Sequence, residues 1–398
     1  MKDLILHDSN FQTLLELNSG GFKQKNPAPH CVNPDCRYFH HKDIHDTSWR
    51  RNHGHHDTKA FGKVPRYMCL NCGKTFSNQT FLIDYWVKKP VDYMELLIPL
   101  LSTSGQGNIT RFQNLRYELI QNRYERLCRM FLALHAELRK QICPDEDFIL
   151  DGLESFSRSQ NYPNNVNIVT GDYSDFIYAM GFSQLRRKGK MTKQQKKKRE
   201  YLEKKYGKAP PKAVEMSVYS LLCDLGIYLH SNNLSIKKLK TDKNKAYVRA
   251  YKRISDISDY LKHEQYSSKA FRNVQNPLFK GNYVDRQVRK DQANHVRETI
   301  QFARCPSAMM IRLSLYQVYH NYMMPRRVKE QRKGNWETRG ELIGLSKEVF
   351  FKELCKVLGK RVFIHKHELW EEEKRTWLML WRNKGIALGK RVPNYIRI

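Results

Sequence analysis

Two close cysteine pairs constrain this chain more than any other feature: Cys31-Val-Asn-Pro-Asp-Cys36 and Cys69-Leu-Asn-Cys72-Gly73. A short turn with a thiolate at each end aims both sulfurs at one point, and two such turns close a tetrahedral site for a soft divalent ion. Gly73 supplies the backbone freedom that such a turn uses. A zinc ribbon is therefore expected over 26–88, with Cys31, Cys36, Cys69 and Cys72 holding a structural Zn2+, because four thiolates leave no position open for a substrate. Six histidines (His40, His41, His45, His53, His55 and His56) lie between the pairs and are expected in a polar loop, since the cysteines already complete the site. The total of nine cysteines is odd, which argues against a disulfide framework. The remaining five read as small core residues or inert thiols.

Charge comes next. Over 398 residues, 71 Lys and Arg stand against 40 Asp and Glu, a formal net charge of +31. Such an excess repels itself in the folded state and a polyanion relieves it, so nucleic acid is the expected partner. No apolar stretch approaches the roughly 18 residues of a spanning helix, so no membrane partner is expected. The start, MKDLILHDSNF, does not look like a signal peptide. These features predict an intracellular, cytoplasmic protein. Arg37, Arg50, Arg51, Lys59, Lys63 and Arg66 make the ribbon a plausible phosphate binder.

The rest of the chain divides by texture. Residues 1–25 hold one short apolar pattern (Phe11, Leu14, Leu15, Leu17) that predicts a brief helix. Helices are predicted over 91–101 and 115–140, with a glycine-containing turn at 102–108. This arrangement over 89–146 reads as a helix-turn-helix DNA-binding region in which Arg111, Arg116 and Arg123 reach DNA. From 147 to 325 short strands are predicted at 148–150, 166–170, 175–180, 234–241 and 263–270. Helices are predicted at 213–228, 244–261, 284–303 and 307–323. The resulting order, β-β-β-α-β-α-β-α, is that of a ribonuclease H-like α/β domain. A basic insertion at 185–212 has 13 Lys and Arg against two Glu, a local net of +11. It is expected to follow DNA backbone through Arg186, Arg187, Lys188, Lys190, Lys196 and Lys197, and to be partly disordered when free. Residues 326–398 predict two further helices, near 346–358 and 367–382, and a basic tail. In this region Trp370, Trp377 and Trp381 recur at helical spacing and read as core or subunit contact. The fold class expected is thus multidomain α+β.

Three acids stand out in a chain so basic. Asp151 ends an apolar strand before Gly152, and Asp242 ends another. In a sheet of the predicted order these strands are neighbours, so their end carboxylates would converge. A third acid from the 284–303 helix would complete an oxygen-ligand site for two Mg2+ ions, the arrangement suited to in-line phosphoryl displacement. Asp285 and Glu298 both qualify. They are 13 residues apart and so point to nearly opposite helix faces, which admits only one of them. Arg286 and Arg289 would face neighbouring phosphates.

The same residues carry a resemblance. Tyr67-Met-Cys69-Leu-Asn-Cys72-Gly-Lys-Thr-Phe76, Asp151-Gly152, Thr241-Asp242 with Ala246-Tyr247, and Asn282-Tyr-Val-Asp285-Arg286 are similar to blocks of bacterial insertion-sequence transposases with an N-terminal zinc ribbon. The likeness is to those grouped around insertion sequence one and to related unclassified insertion sequences. His295-Val-Arg297-Glu298-Thr299, Phe302 and His320-Asn321-Tyr322 extend the likeness, which covers about 30–325. It departs in one respect: an Asp stands at 285 where the family has Glu, and the spacing on to Phe302 is a few residues short, which keeps Glu298 as the alternative third acid. The resemblance implies a DDE transposase that binds the terminal repeats of a mobile element in double-stranded DNA. It would cut and join strands with Mg2+ at Asp151, Asp242 and Asp285, and work as a dimer or higher oligomer on the bacterial nucleoid. A nuclease on the same fold that does not join strands, and a catalytically silent zinc-ribbon DNA-binding protein, are the alternatives.

Overall fold

The computed structural model describes residues 28–380 apart from 89–90, 102–103, 268, 270, 272, 297–300, 328, 330–331 and 335. The helix expected near Phe11, the alternative acid Glu298, Trp381 and the basic tail lie outside the described residues.

The N-terminal unit is a three-stranded antiparallel sheet of β1 (Arg50–Thr58), β2 (Gly62–Cys69) and β3 (Thr75–Ser77). Its small core holds Cys31, Cys36, Phe39, Trp49, Cys69, Phe76 and Phe81, together with Phe363 from far along the chain. Backbone hydrogen bonds from Ile83 to Gly359 and from Arg361 to Phe81, both 2.9 Å, fasten the same junction.

The main sheet has five strands: β4 (Phe148–Phe156), β5 (Pro163–Gly171), β6 (Ile177–Gln184), β7 (Lys237–Asp242) and β8 (Leu261–Tyr266). Their order is β6-β5-β4-β7-β8. The first three pair antiparallel through short turns, and β7 and β8 then run parallel beside β4. A parallel neighbour needs a crossover, and helices supply it. This is the mixed sheet of the ribonuclease H-like fold, as the element order predicted.

The helices are α1 (Tyr93–Leu101), α2 (Gln106–Gln113), α3 (Tyr117–Arg139), α4 (Lys193–Tyr206), α5 (Ala213–Ser231), α6 (Lys245–Lys252) and α7 (Phe279–Asp291). After these come α8 (Pro306–Val318), a π-helical turn (Tyr319–Met323), α9 (Arg339–Leu342), α10 (Lys347–Val357) and α11 (Glu371–Trp377). Strand residues alternate between faces. Phe148, Leu150, Val169 and Leu239 face a layer that includes α3, α5 and α6, while Leu153, Val166, Ile168 and Met180 face α7 and α8.

Four expectations change here. The 102–108 turn already contains the start of α2. The longer helix of the expected helix-turn-helix, α3, runs through the core, with Arg123, Arg126 and Arg139 all buried. Its regular apolar spacing serves packing on every side, so Arg123 cannot reach a phosphate from this position, whereas Arg111 and Arg116 are exposed. The 185–212 insertion is ordered around α4, started by a Thr192–Gln195 capping box and ended by Gly207 at φ +100. Last, the helix expected over 284–303 is shifted: α7 begins at Phe279 and ends at Asp291, where Gln292 turns extended.

The C-terminal helices do not stand apart. One apolar cluster runs from Ile83 through α3 and β4 to Trp377 and Met379. Arg139 on α3 meets Glu373 on α11 through two charge-assisted bonds of 2.6 and 3.0 Å. Trp377 is buried in this cluster and Trp370 packs against it, as a core stripe should.

Candidate active site

Register places the first two acids. Phe148, Ile149 and Leu150 of β4 lie opposite Leu239, Lys240 and Thr241 of β7. One step further in the same register stand Asp151 and Asp242, and residues in register point to one face. That face is the one α7 covers. Gly281 is what lets α7 approach: a Cβ there would stand 2.9 Å from Ile149 Cγ2 and 3.3 Å from Asp151 Cβ. Asp285 is one helical turn beyond Gly281, on the same side of α7. Three carboxylates from three elements thus gather at one end of the sheet, each half-buried and open to solvent on its other side.

Each acid is held by local chemistry. Asp151 Oδ1 accepts the Gly152 N–H at 2.7 Å. Asp242 Oδ1 accepts the Asn244 N–H at 2.9 Å, and Asn244 in turn caps α6 through the Ala246 N–H at 3.0 Å. The strand end, the acid and the helix start are therefore one continuous device. Thr241, at the base of it, shares a 2.8 Å hydrogen bond with His263 Nε2 on β8.

Tyr247, on the first turns of α6, brings a buried hydroxyl to the same place. Burial pushes its ionisation well above the usual tyrosine range, and the carboxylates of Asp151, Asp242, Asp285 and Glu154 push it further. Gly152 makes room for it, since a Cβ there would stand 2.8 Å from the Tyr247 hydroxyl and 2.7 Å from Asn165 Oδ1. Glu154 and Gly281 had no role in the sequence reading, and Tyr247 entered it only as part of the Thr241-Asp242, Ala246-Tyr247 block. Part of the Tyr247 signal is local, since it lies on the first turn of the helix that Asn244 caps.

The other expected contacts divide. Arg286 is exposed on α7, and Arg289 donates to the Glu154 carbonyl at 3.3 Å. Lys188, Lys190, Lys196 and Lys197 are exposed around α4. Arg186 is exposed but paired with Glu203 at 2.9 Å, and Arg187 bonds Asn161. His320, Asn321 and Tyr322 are buried in structural bonds: His320 to the Asp175 carbonyl, Asn321 to both backbone groups of Ile177, and Tyr322 to His135.

In the ribbon, the Sγ atoms of Cys31 and Cys72 are 3.5 Å apart and those of Cys36 and Cys69 are 3.7 Å apart. A tetrahedral zinc with Zn–S bonds of about 2.3 Å separates its sulfurs by roughly 3.8 Å. The Asn33 N–H points at Cys31 Sγ (3.4 Å) and the Asn71 amide at Cys36 Sγ (3.3 Å), the donors that steady a thiolate. The four sulfurs fit zinc. Among the described residues this is the one group of three or more His, Cys, Asp or Glu whose ligand atoms all lie within 4.8 Å, and no histidine belongs to it. His53, His55 and His56 lie on β1, not in the polar loop that was expected to hold all six. The three acids are more widely spaced, but their oxygens are the hard donors that magnesium takes.

No family model and no curated protein matches this chain. Among solved structures, a chain of the simian T-cell lymphotropic virus intasome, in complex with the PP2A regulatory subunit B56 gamma, aligns with 63% of this chain and 73% of its own length. The identity is 11% and the TM-score 0.28. A score that low assigns no residue and no activity here. Among the described residues no helix is long and apolar enough to cross a membrane.

Proposed function

We propose that this chain is a DDE-type transposase that binds the ends of a mobile element in double-stranded DNA, cuts them and joins them to a target. One observation supports this reading: Asp151 and Asp242 stand in register on two neighbouring parallel strands, and Asp285 lies one turn beyond Gly281 on the helix packed over them. Asp151, Asp242 and Asp285 would hold magnesium, whose charge at a phosphodiester activates the attacking oxygen and stabilises the leaving one. Arg286, beside Asp285, faces solvent where a DNA backbone would pass. Lysines around α4 and the basic face of the ribbon supply contacts to phosphate that are independent of sequence. Joining two ends to one target calls for at least two copies of the chain.

The test is an incubation of the protein with a labelled duplex carrying the DNA that flanks its own coding sequence, plus supercoiled plasmid. Magnesium-dependent nicking at the duplex end followed by joining to plasmid supports the proposal. Nicking without joining assigns a nuclease, and binding without either assigns a DNA-binding protein.

A further inference from the structure

A cavity of about 320 Å³ opens between the 85–88 segment and the first half of α3, away from the carboxylates. Its wall carries Lys88, Arg123, Arg126 and Arg129 against a single acid, Glu125, and Asp84 lies behind Arg123 and Arg126. Tyr85 forms part of the floor, with the guanidinium groups of Arg126 and Arg361 each 4.0 Å from its ring centroid. Burial alone would raise the ionisation of the Tyr85 hydroxyl, yet Arg129, Arg361 and Arg126 together hold it below the usual tyrosine range. The pocket is therefore strongly favourable to negative charge.

At its mouth stands Trp86. This indole is 65% exposed, the largest apolar group so placed on the ribbon side, and its backbone is left-handed at φ +55. That conformation is costly for a bulky residue, and it persists where surrounding structure imposes it, commonly at ligand sites. Here it holds the ring out over a basic cavity, with Arg361 5.7 Å from the ring. A flat aromatic face beside clustered guanidinium groups is the chemistry that takes a nucleobase by stacking and its phosphate by charge.

We infer that this cavity receives one unpaired nucleotide of a DNA strand, its base stacked on Trp86 and its phosphate drawn to Lys88 and Arg129 at the accessible part of the basic wall. The inference rests on the proposed DNA function for its substrate, but it concerns a site distinct from the acids. Cutting and joining at a duplex end exposes unpaired nucleotides, and this pocket would hold one of them apart from the reacting phosphate.

The experiment titrates the full chain with a short single-stranded oligodeoxynucleotide, and with an abasic deoxyribose-phosphate chain of equal length. Stacking of one base on an aromatic ring contributes roughly 5- to 150-fold in affinity. Wild type should prefer the base-bearing strand by a factor in that range. Trp86→Ala should abolish the preference, and Trp86→Phe should keep most of it. Because Trp86 is exposed, both variants should melt with the wild type, and melting is recorded to show it. Equal affinity of wild type for the two strands, or a preference that survives Trp86→Ala, overturns the inference. Magnesium-dependent end joining is measured on the same samples. A base preference without any joining would sink the transposase reading and leave the pocket standing, and joining without a base preference would do the reverse.

Discussion

Replacing Gly281 by alanine should damage the acid site while leaving the fold nearly intact. The new Cβ would meet Ile149 Cγ2 at 2.9 Å and Asp151 Cβ at 3.3 Å. Ordinary carbon contacts lie at about 3.5–4.0 Å. Ile149 is fully buried and has little freedom to turn away, so α7 must back off β4 by roughly 0.6–1 Å. Overpacking of this kind costs about 1–3 kcal/mol, and alanine recovers about 1 kcal/mol of helix propensity over glycine. The net loss of stability is then at most about 2 kcal/mol, a few degrees in melting temperature. Asp285 rides on the displaced helix. A misplacement near 1 Å at a reacting centre can cost on the order of 100-fold in rate. Magnesium-dependent strand joining should therefore fall about 10- to 100-fold while thermal denaturation changes little. Gly226→Ala on α5 is the control: its Cβ would meet nothing within 4 Å, so it should keep full activity and gain about 1 kcal/mol. If Gly281→Ala joins DNA at the wild-type rate, the close approach of α7 to β4 does not set the geometry of the site.

Other perturbations follow from the same contacts. Burial holds the Glu372 carboxyl up at about 7, against the opposing pull of Arg375. Its folded value thus lies above its unfolded one, so its contribution to stability is full below about pH 4.5 and is lost as pH rises through about 7. Glu372→Gln should flatten the pH dependence in that window and raise stability at pH 8 by up to about 3 kcal/mol, read by urea denaturation at pH 5 and pH 8. Arg139→Met strips Glu373 of its buried partner and should cost about 3–5 kcal/mol, whereas the double change Arg139→Met with Glu373→Met should recover most of it in the same assay. Withdrawal of zinc by a chelator, or Cys69→Ser, should loosen the ribbon around buried Trp49, shifting tryptophan emission to the red and opening 28–88 to protease, while β4–β8 stay protected.

How much of this could be read beforehand depends on where each signal lies in the chain. The ribbon ligands and the acids after short apolar runs, Asp151 and Asp242, are local patterns, complete within a few residues, although β4 runs on past Asp151 to Phe156; the sheet was legible from the order of strands and helices. The role of α3 was not legible, because Arg123, Arg126 and Arg139 look like a polar face until their distant surroundings are known. Arg126 is held by the Ile83 carbonyl and Arg139 by Glu373, 43 and 234 residues away. Contacts between distant parts of the chain were hidden for the same reason: Phe363 completes the ribbon core, and α11 closes over α3. The order in 185–212 was legible in principle, since the Thr192–Gln195 capping box is local, but the run of lysines masked it. The approach of α7 to Asp151 depends on the missing side chain of one glycine, which no periodicity reveals.

The most direct test of the central claim is strand joining in magnesium by wild type beside Asp151→Asn, Asp242→Asn, Asp285→Asn and Glu298→Gln, with DNA binding and melting measured on every sample. The account predicts that the first three lose joining by at least about 100-fold while they still bind DNA and remain folded, and that Glu298→Gln retains it. Joining that survives Asp151→Asn or Asp242→Asn would contradict the account outright. Joining that survives Asp285→Asn and vanishes with Glu298→Gln would move the third acid off α7.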